Sequence, residues 1–140
     1  MKSGLSLLYF LCIFISTKAK NSALSGIWIT ENKDAKVEIF KDGNFFSGKI
    51  IWLINPKNAE GVPKMDRKNP DQKLRNQPIL GLKILEGLEP QDGEFINGRI
   101  YSPEKGMYAH CKIKWKDIHS IELTITKGFI TLHKIWKKEV

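Results

Sequence analysis

Residues 107–116 read MYAHCKIKWK, and the fold follows from how that decapeptide alternates. Met107, Ala109, Cys111, Ile113 and Trp115 fall on one side of an extended chain, and Tyr108, His110, Lys112, Lys114 and Lys116 on the other. Successive strand side chains point to opposite faces, so this pattern predicts a strand with one face in a core and one in water. The same alternation places Ile121, Leu123 and Ile125 opposite Glu122, Thr124 and Thr126, and Val37 and Ile39 opposite Lys36 and Glu38. Such half-buried strands belong to antiparallel sheets.

Working outward, Asp42-Gly43, Asp92-Gly93, Lys105-Gly106 and Lys127-Gly128 separate the apolar runs, and glycine there accepts the positive φ of tight hairpins. Asn97-Gly98 reads either as a further turn or as a bulge inside one strand. Eight strands are predicted, over 26–30, 35–41, 45–54, 79–87, 95–101, 107–116, 119–126 and 129–137, with no competing helical period. The fold class is therefore all-β. Eight sequential antiparallel strands with one apolar face close into an up-and-down β-barrel, which removes free edges and can enclose a small ligand. A sandwich is the alternative. The run 45–53 is apolar on both faces, so something is expected to cover its outer side, and segment 55–78 is the candidate.

That segment is long for a connection, which marks it as a functional or structural insert. Within it Asn69-Pro70-Asp71 has the grammar of a helix start, and Pro78 ends the turn, so a short helical flap is expected between strands 3 and 4, reaching about Gln77. Asp71 and Arg75 stand four apart, within ion-pair reach on a helix. Asp66, Asn69, Pro70, Asp71 and Arg75 thus form a flap motif, either a structural clasp or a gate whose Arg75 meets an anionic head group. Asp66, Asn69 and Asp71 also offer oxygens to a calcium ion, but their spacing departs from calcium-loop grammar and Gln77 stands where a bidentate glutamate is wanted.

The first residues look like an export signal: Lys2, an apolar run from Leu5 to Ile15, and Thr17-Lys18-Ala19 as the cleavage site. An uncleaved anchor is the alternative. Residues 1–19 are read as signal peptide and 20–140 as one barrel domain, with no transmembrane segment after cleavage and a periplasmic or secreted bacterial destination. Cys111 is then the sole cysteine and has no disulfide partner, so stability rests on a core. The formal charge of +8 is carried mostly by lysines that alternate with apolar residues, the pattern of a wet strand face rather than a nucleic-acid track. It implies a non-specific attraction to anionic surfaces.

No nucleophile elbow, phosphate loop, HExxH or CxxC occurs, and His110, His119 and His133 lack a metal-ligand spacing. Catalytic residues, metals and cofactors are accordingly expected to be none, and the chain is read as no enzyme. Cavity or mouth candidates are Trp28, Trp52, Arg75, Arg99, Tyr101, Tyr108, Ile113 and Trp115, because aromatic rings either fill a barrel or line its pocket. Arg99 and Tyr101 share one parity. Facing inward they would form a carboxylate receptor, whereas the opposite parity would turn Ile96 and Ile100 inward.

Gly26-x-Trp28, Gly48-x-Ile50-x-Trp52, Asp66-x-x-Asn69-Pro70-Asp71-x-x-Leu74-Arg75-x-x-Pro78-x-x-Gly81-Leu82 and Gly98-x-Ile100-Tyr101-x-Pro103-x-x-Gly106-x-Tyr108 together resemble domain-of-unknown-function family 2147, small exported bacterial proteins. The resemblance implies a lipocalin-like or fatty-acid-binding-protein-like barrel with no established enzymatic activity. The chain differs from the family pattern at Phe46, where cysteine is frequent, at Ser102, where aspartate is usual, and over 134–138, where arginine usually follows the tryptophan. Fold and resemblance lead to one expectation: an exported barrel binding a small apolar or amphipathic molecule, such as an anionic lipid. The alternative is a filled, non-enzymatic barrel acting through its surface on the envelope or a host.

Overall fold

A computed structural model describes residues 21–140, so the export signal expected at 1–19 lies outside the described residues. The eight strands are β1 Gly26–Ile29, β2 Ala35–Asp42, β3 Phe45–Leu53, β4 Lys83–Gln91, β5 Glu94–Ser102, β6 Met107–Asp117, β7 Ser120–Lys127 and β8 Ile130–Lys138. Each pairs antiparallel with its sequence neighbour, and β1 pairs with β8, so the sheet is a closed up-and-down barrel. The expected fold class holds, and the sandwich does not form. Segment 79–82 is not strand, although Ile50 and Gly81–Leu82 exchange backbone hydrogen bonds that lead into β4.

Alternation fills the interior. Val37, Ile39, Phe46, Ile50, Leu85, Leu88, Phe95, Cys111, Ile113, Ile121, Leu123 and Trp136 are buried, while Lys112, Lys114 and Lys116 stand exposed outside. A charged outer wall and apolar interior reverse the pattern of a barrel that spans lipid. Among the described residues no helix is long and apolar enough to cross a membrane. One end of the barrel is stoppered: Leu24 is fully buried, Trp28 Nε1 donates to the Leu24 carbonyl at 2.9 Å, and Lys138 Nζ donates to the carbonyls of Ala23 and Ser25.

Backbone bulges decide which side chains turn inward, among them those in β3 and β5. In β3 the register steps between Trp52, opposite Lys36, and Ile50, opposite Val37, leaving Ile51 as the extra residue. Ile50 and Leu53 therefore both face the interior while Ile51 and Trp52 face out, which explains the two-sided apolar run. The expectation that segment 55–78 covers the outer face of β3 fails: Phe45 and Trp52 remain 45% and 40% exposed. In β5 the register steps between Phe95 and Gly98, and Asn97 takes φ 58°, so Asn97-Gly98 is a bulge within the strand.

Gly98 faces inward at that bulge. A Cβ there would stand 2.5 Å from Leu88 Cδ2 and 2.9 Å from the Cys111 carbonyl oxygen. Gly98→Ala is expected to cost about 1–3 kcal/mol through overpacking, read as a lower urea midpoint with an unchanged slope. A midpoint equal to the parent's would show that the barrel relaxes at this point.

Candidate functional site

Up-and-down order puts the β1–β2, β3–β4, β5–β6 and β7–β8 connections at one end, opposite the Leu24 stopper. This end is open. A cavity of about 560 Å3 lies in the mouth, its apolar wall formed by Ile50, Leu53, Ile79, Ile100, Ile125 and Trp136. Lys134 projects into it because β8 pairs Lys134 with buried Leu123, on the same face as Trp136. Its Nζ lies 3.6 Å from Glu31 Oε2 and its side chain is 39% exposed, so this cation is held at the rim by a weak pair. Lys64 joins the lining from the β3–β4 connection.

That connection is a flap whose two arms pair backbone to backbone: Asp66 N donates to Gln77 O at 2.9 Å and Ile79 N to Lys64 O at 3.0 Å. Its expected helix is a single 3-10 turn, Gln72–Leu74, capped by Asp71, whose side chain accepts from Lys73 N, rather than by Asn69. None of its residues is buried, and so short a segment without an apolar face to bury cannot offset helix nucleation. With no α-turn, the Asp71–Arg75 ion pair does not form. Arg75 Nε instead donates to the Asn69 carbonyl at 2.8 Å, and Arg75 lines neither the mouth cavity nor the pocket beneath the flap.

The flap's anchor is Asp66, which is fully buried. Tyr101 OH donates to Oδ1 at 2.6 Å, Asn69 Nδ2 to Oδ2 at 2.8 Å and Gln77 Nε2 to Oδ2 at 3.4 Å. Asn69 Oδ1 accepts from Asp71 N, fixing the bend at Pro70. The oxygens considered for calcium are thus engaged by hydrogen bonds within the flap and to β5. Burial first, then the Asp66 bond, pushes the Tyr101 phenol above its ordinary pKa and keeps it a neutral donor. A second tie joins the flap to the β5–β6 turn: Gly106 has φ 64°, and a Cβ there would stand 2.1 Å from the Lys68 carbonyl.

Tyr101 also separates two cavities, since it lines both. The second, about 400 Å3, lies outside the barrel wall beneath the flap, between Leu74, Pro78 and Leu80 on one side and Ile84, Glu86, Arg99 and Tyr108 on the other. Arg99 therefore faces outward, stacked 3.9 Å above the Tyr108 ring with its Nε 3.4 Å from Glu86. Ile100 is the inward residue, while the Asn97 bulge leaves Ile96 half-buried on the far side of Phe95. An inward guanidinium receptor made of Arg99 and Tyr101 does not exist.

The remaining sequence candidates sort by depth. Trp28 and Ile113 are buried core residues, and Trp115 packs 5.8 Å from Trp28 toward the stoppered end, so none of the three reaches the mouth. Trp52 lies outside under Lys36 Nζ, 5.4 Å from its ring. Cys111 is buried, and burial pushes its thiol up to about 12. Lys134, Ile100 and Trp136 are among the mouth residues that the sequence candidates omitted. Alternation through Leu132, Lys134 and Trp136 was the available signal, since it sets a lysine on the tryptophan's side.

A closed eight-stranded up-and-down barrel is the architecture that lipocalins have, and here one end is stoppered and the other open beside a flap. The sequence model of a family described as "Uncharacterized protein conserved in bacteria (DUF2147)" matches residues 26–140, and the chain belongs to that family. Among solved structures, the protein HP1028 from Helicobacter pylori, described as belonging to the lipocalin family, superposes with a TM-score of 0.73 at 23% identity, covering 84% of this chain and 83% of that one. At that identity the likeness is one of fold. No curated protein matches the sequence.

Two outcomes test this geometry. Tyr101→Phe strips Asp66 Oδ1 of its donor, an expected loss of about 1–3 kcal/mol in urea unfolding with faster proteolytic nicking of the flap. Unchanged stability would mean that the carboxylate finds water. The Cys111 thiol should resist maleimide at about pH 8 in the native protein and react once urea is added; rapid native labelling would contradict its burial.

Proposed function

We propose that this protein binds, rather than transforms, a small apolar or amphipathic molecule with an anionic head in the mouth of its barrel. The observation that carries the reading is the Lys134 ammonium beside the apolar surface of Ile125 and Trp136 at the open end, in a cavity of about 560 Å3 whose rim also carries Glu31, Asp34, Lys64 and Glu104. That volume falls within the range that holds a small ligand; the isoleucines and Trp136 offer apolar burial for affinity, and Lys134 offers a charge for orientation.

The chemistry follows from position. An acyl or similarly apolar tail would lie against Ile50, Ile100, Ile125 and Trp136, while a carboxylate or phosphate would take Lys134 from its loose pair with Glu31. Lys64, on the flap arm, faces the same opening. The flap, held by Asp66 and Tyr101, forms the mouth's outer lip, and we assign it a structural role in keeping the opening shaped. An exported setting, periplasmic or extracellular, suits a carrier of this kind. The competing reading, a filled barrel acting only through its surface, draws support from the close-packed stoppered half around Trp28, Phe95 and Leu123.

Calorimetric titration with a medium-chain fatty acid and with the alcohol of equal length separates the two. Lys134→Met should weaken the acid about ten- to hundredfold, matching the usual worth of a charge-assisted hydrogen bond, and leave the alcohol unchanged. If neither compound binds, and native mass spectrometry of protein from its own host finds no retained small molecule, the surface reading replaces this one.

A further inference from the structure

The mouth end carries an apolar tip with nothing over it. β7 and β8 pair up to Lys127 opposite Ile130, so Gly128 and Phe129 alone make the turn, with Gly128 at φ 59°. Phe129 is 109% exposed and Ile130 65%, and Leu132, opposite the mouth-lining Ile125, is 41% exposed. A rigid hairpin that holds a phenylalanine fully in water at its tip gains nothing in folding from that ring, and a contiguous exposed apolar patch marks an interaction surface.

The charge around this end selects the partner. The β3–β4 connection, residues 54–82, carries six lysines and arginines, namely Lys57, Lys64, Arg67, Lys68, Lys73 and Arg75, against three acids, Glu60, Asp66 and Asp71. Of these acids Asp66 is buried and turned to Tyr101. Lys33 and Lys105 stand in the β1–β2 and β5–β6 turns at the same end, the latter beside the exposed Glu104, so the basic residues still outnumber the acids there. Glu31 and Asp34 are drawn inward or sideways by Ile135 N, Lys134 and Thr30. An apolar tip at the end of a barrel where basic residues outnumber acidic ones is the arrangement that binds an anionic bilayer surface: the ring enters the headgroup boundary and the ammonium groups meet lipid phosphates.

We infer that the barrel docks mouth-first on anionic lipid, with Phe129 and Ile130 as the inserted tip and the flap lysines as the electrostatic collar. Docked in this way, the opening beside Lys134, Ile125 and Trp136 faces the lipid from which an amphipathic molecule would enter or to which it would return. The inference goes beyond ligand binding and is tested without a ligand.

Flotation of the barrel domain, residues 21–140, which closes on itself, with vesicles gives the test. Vesicles of phosphatidylglycerol mixed with phosphatidylcholine should carry the protein, and pure phosphatidylcholine should not. Phe129→Asp should cut the vesicle affinity at least tenfold while leaving the melting temperature unchanged, since the ring touches nothing that folding needs. Ile118→Asp, at an 81% exposed apolar position in the β6–β7 turn at the opposite end, should leave the affinity unchanged. The inference fails if wild-type protein ignores anionic vesicles, or if binding persists equally in Phe129→Asp, which would reduce it to scattered lysine attraction. It also fails if Phe129→Asp instead dissolves a dimer seen by light scattering, because a second copy would then be the occupant of the tip.

Discussion

The barrel depends on its narrowest seam. β1 is four residues long and meets β8 through only two residue pairs, Trp28 with Lys138 and Ile29 with Lys137, extended by Glu139 N donating to the Ile27 carbonyl at 2.8 Å. Lys36 and Glu139 pair across it, and Lys138 reaches on to the carbonyls of Ala23 and Ser25. Without this seam β1 and β8 would each expose a row of unpaired backbone groups, and the interior would open sideways instead of at one end. Closure therefore turns a row of apolar faces into a container with a floor and a mouth.

Inside that container, the backbone's irregularities matter as much as its regularity. The extra residue at Ile51 lets β3 send both Ile50 and Leu53 inward, and the bulge at Asn97 puts Phe95 and Gly98 on the core side and Arg99 outside. Each strand is thus a splice of two alternating halves with opposite parity. Gly98 lets Leu88 approach where any side chain would collide. The same splice aims Ile100 into the mouth and sets Tyr101 as the partition between the inner cavity and the pocket beneath the flap.

Legibility of the sequence divides along this line. Strand positions, strand count and closure could be read because period-two alternation is a local property of Met107–Asp117 and its neighbours, and turn glycines punctuate it. Bulges could not be placed with the same assurance, since they depend on which partner strand sets the register. Trp52 and Arg99, judged by simple parity or aromatic character, therefore fall outside the mouth. The flap's helix failed for a different reason. Asn69-Pro70-Asp71 does start a turn, but the apolar contact needed to extend it is absent, and hydrogen bonds to Asp66 and the Asn69 carbonyl hold the segment instead. Lys134 was readable from its parity with Trp136, but a lysine near a chain's end resembles any other solvated lysine until the pairing of β8 with β7 is known.

The four tryptophans sit at four depths of one small structure: Trp52 on the outer wall, Trp136 on the mouth wall, Trp115 in the lower interior and Trp28 against the Leu24 stopper. Their emission is consequently a built-in optical ruler. Iodide in solution would reach the Trp52 ring first, a molecule bound in the mouth as proposed would perturb Trp136, and a shift in Trp28 would report loss of the plug. One chromophore type, with no dye attached, thereby distinguishes occupancy of the barrel from its unravelling.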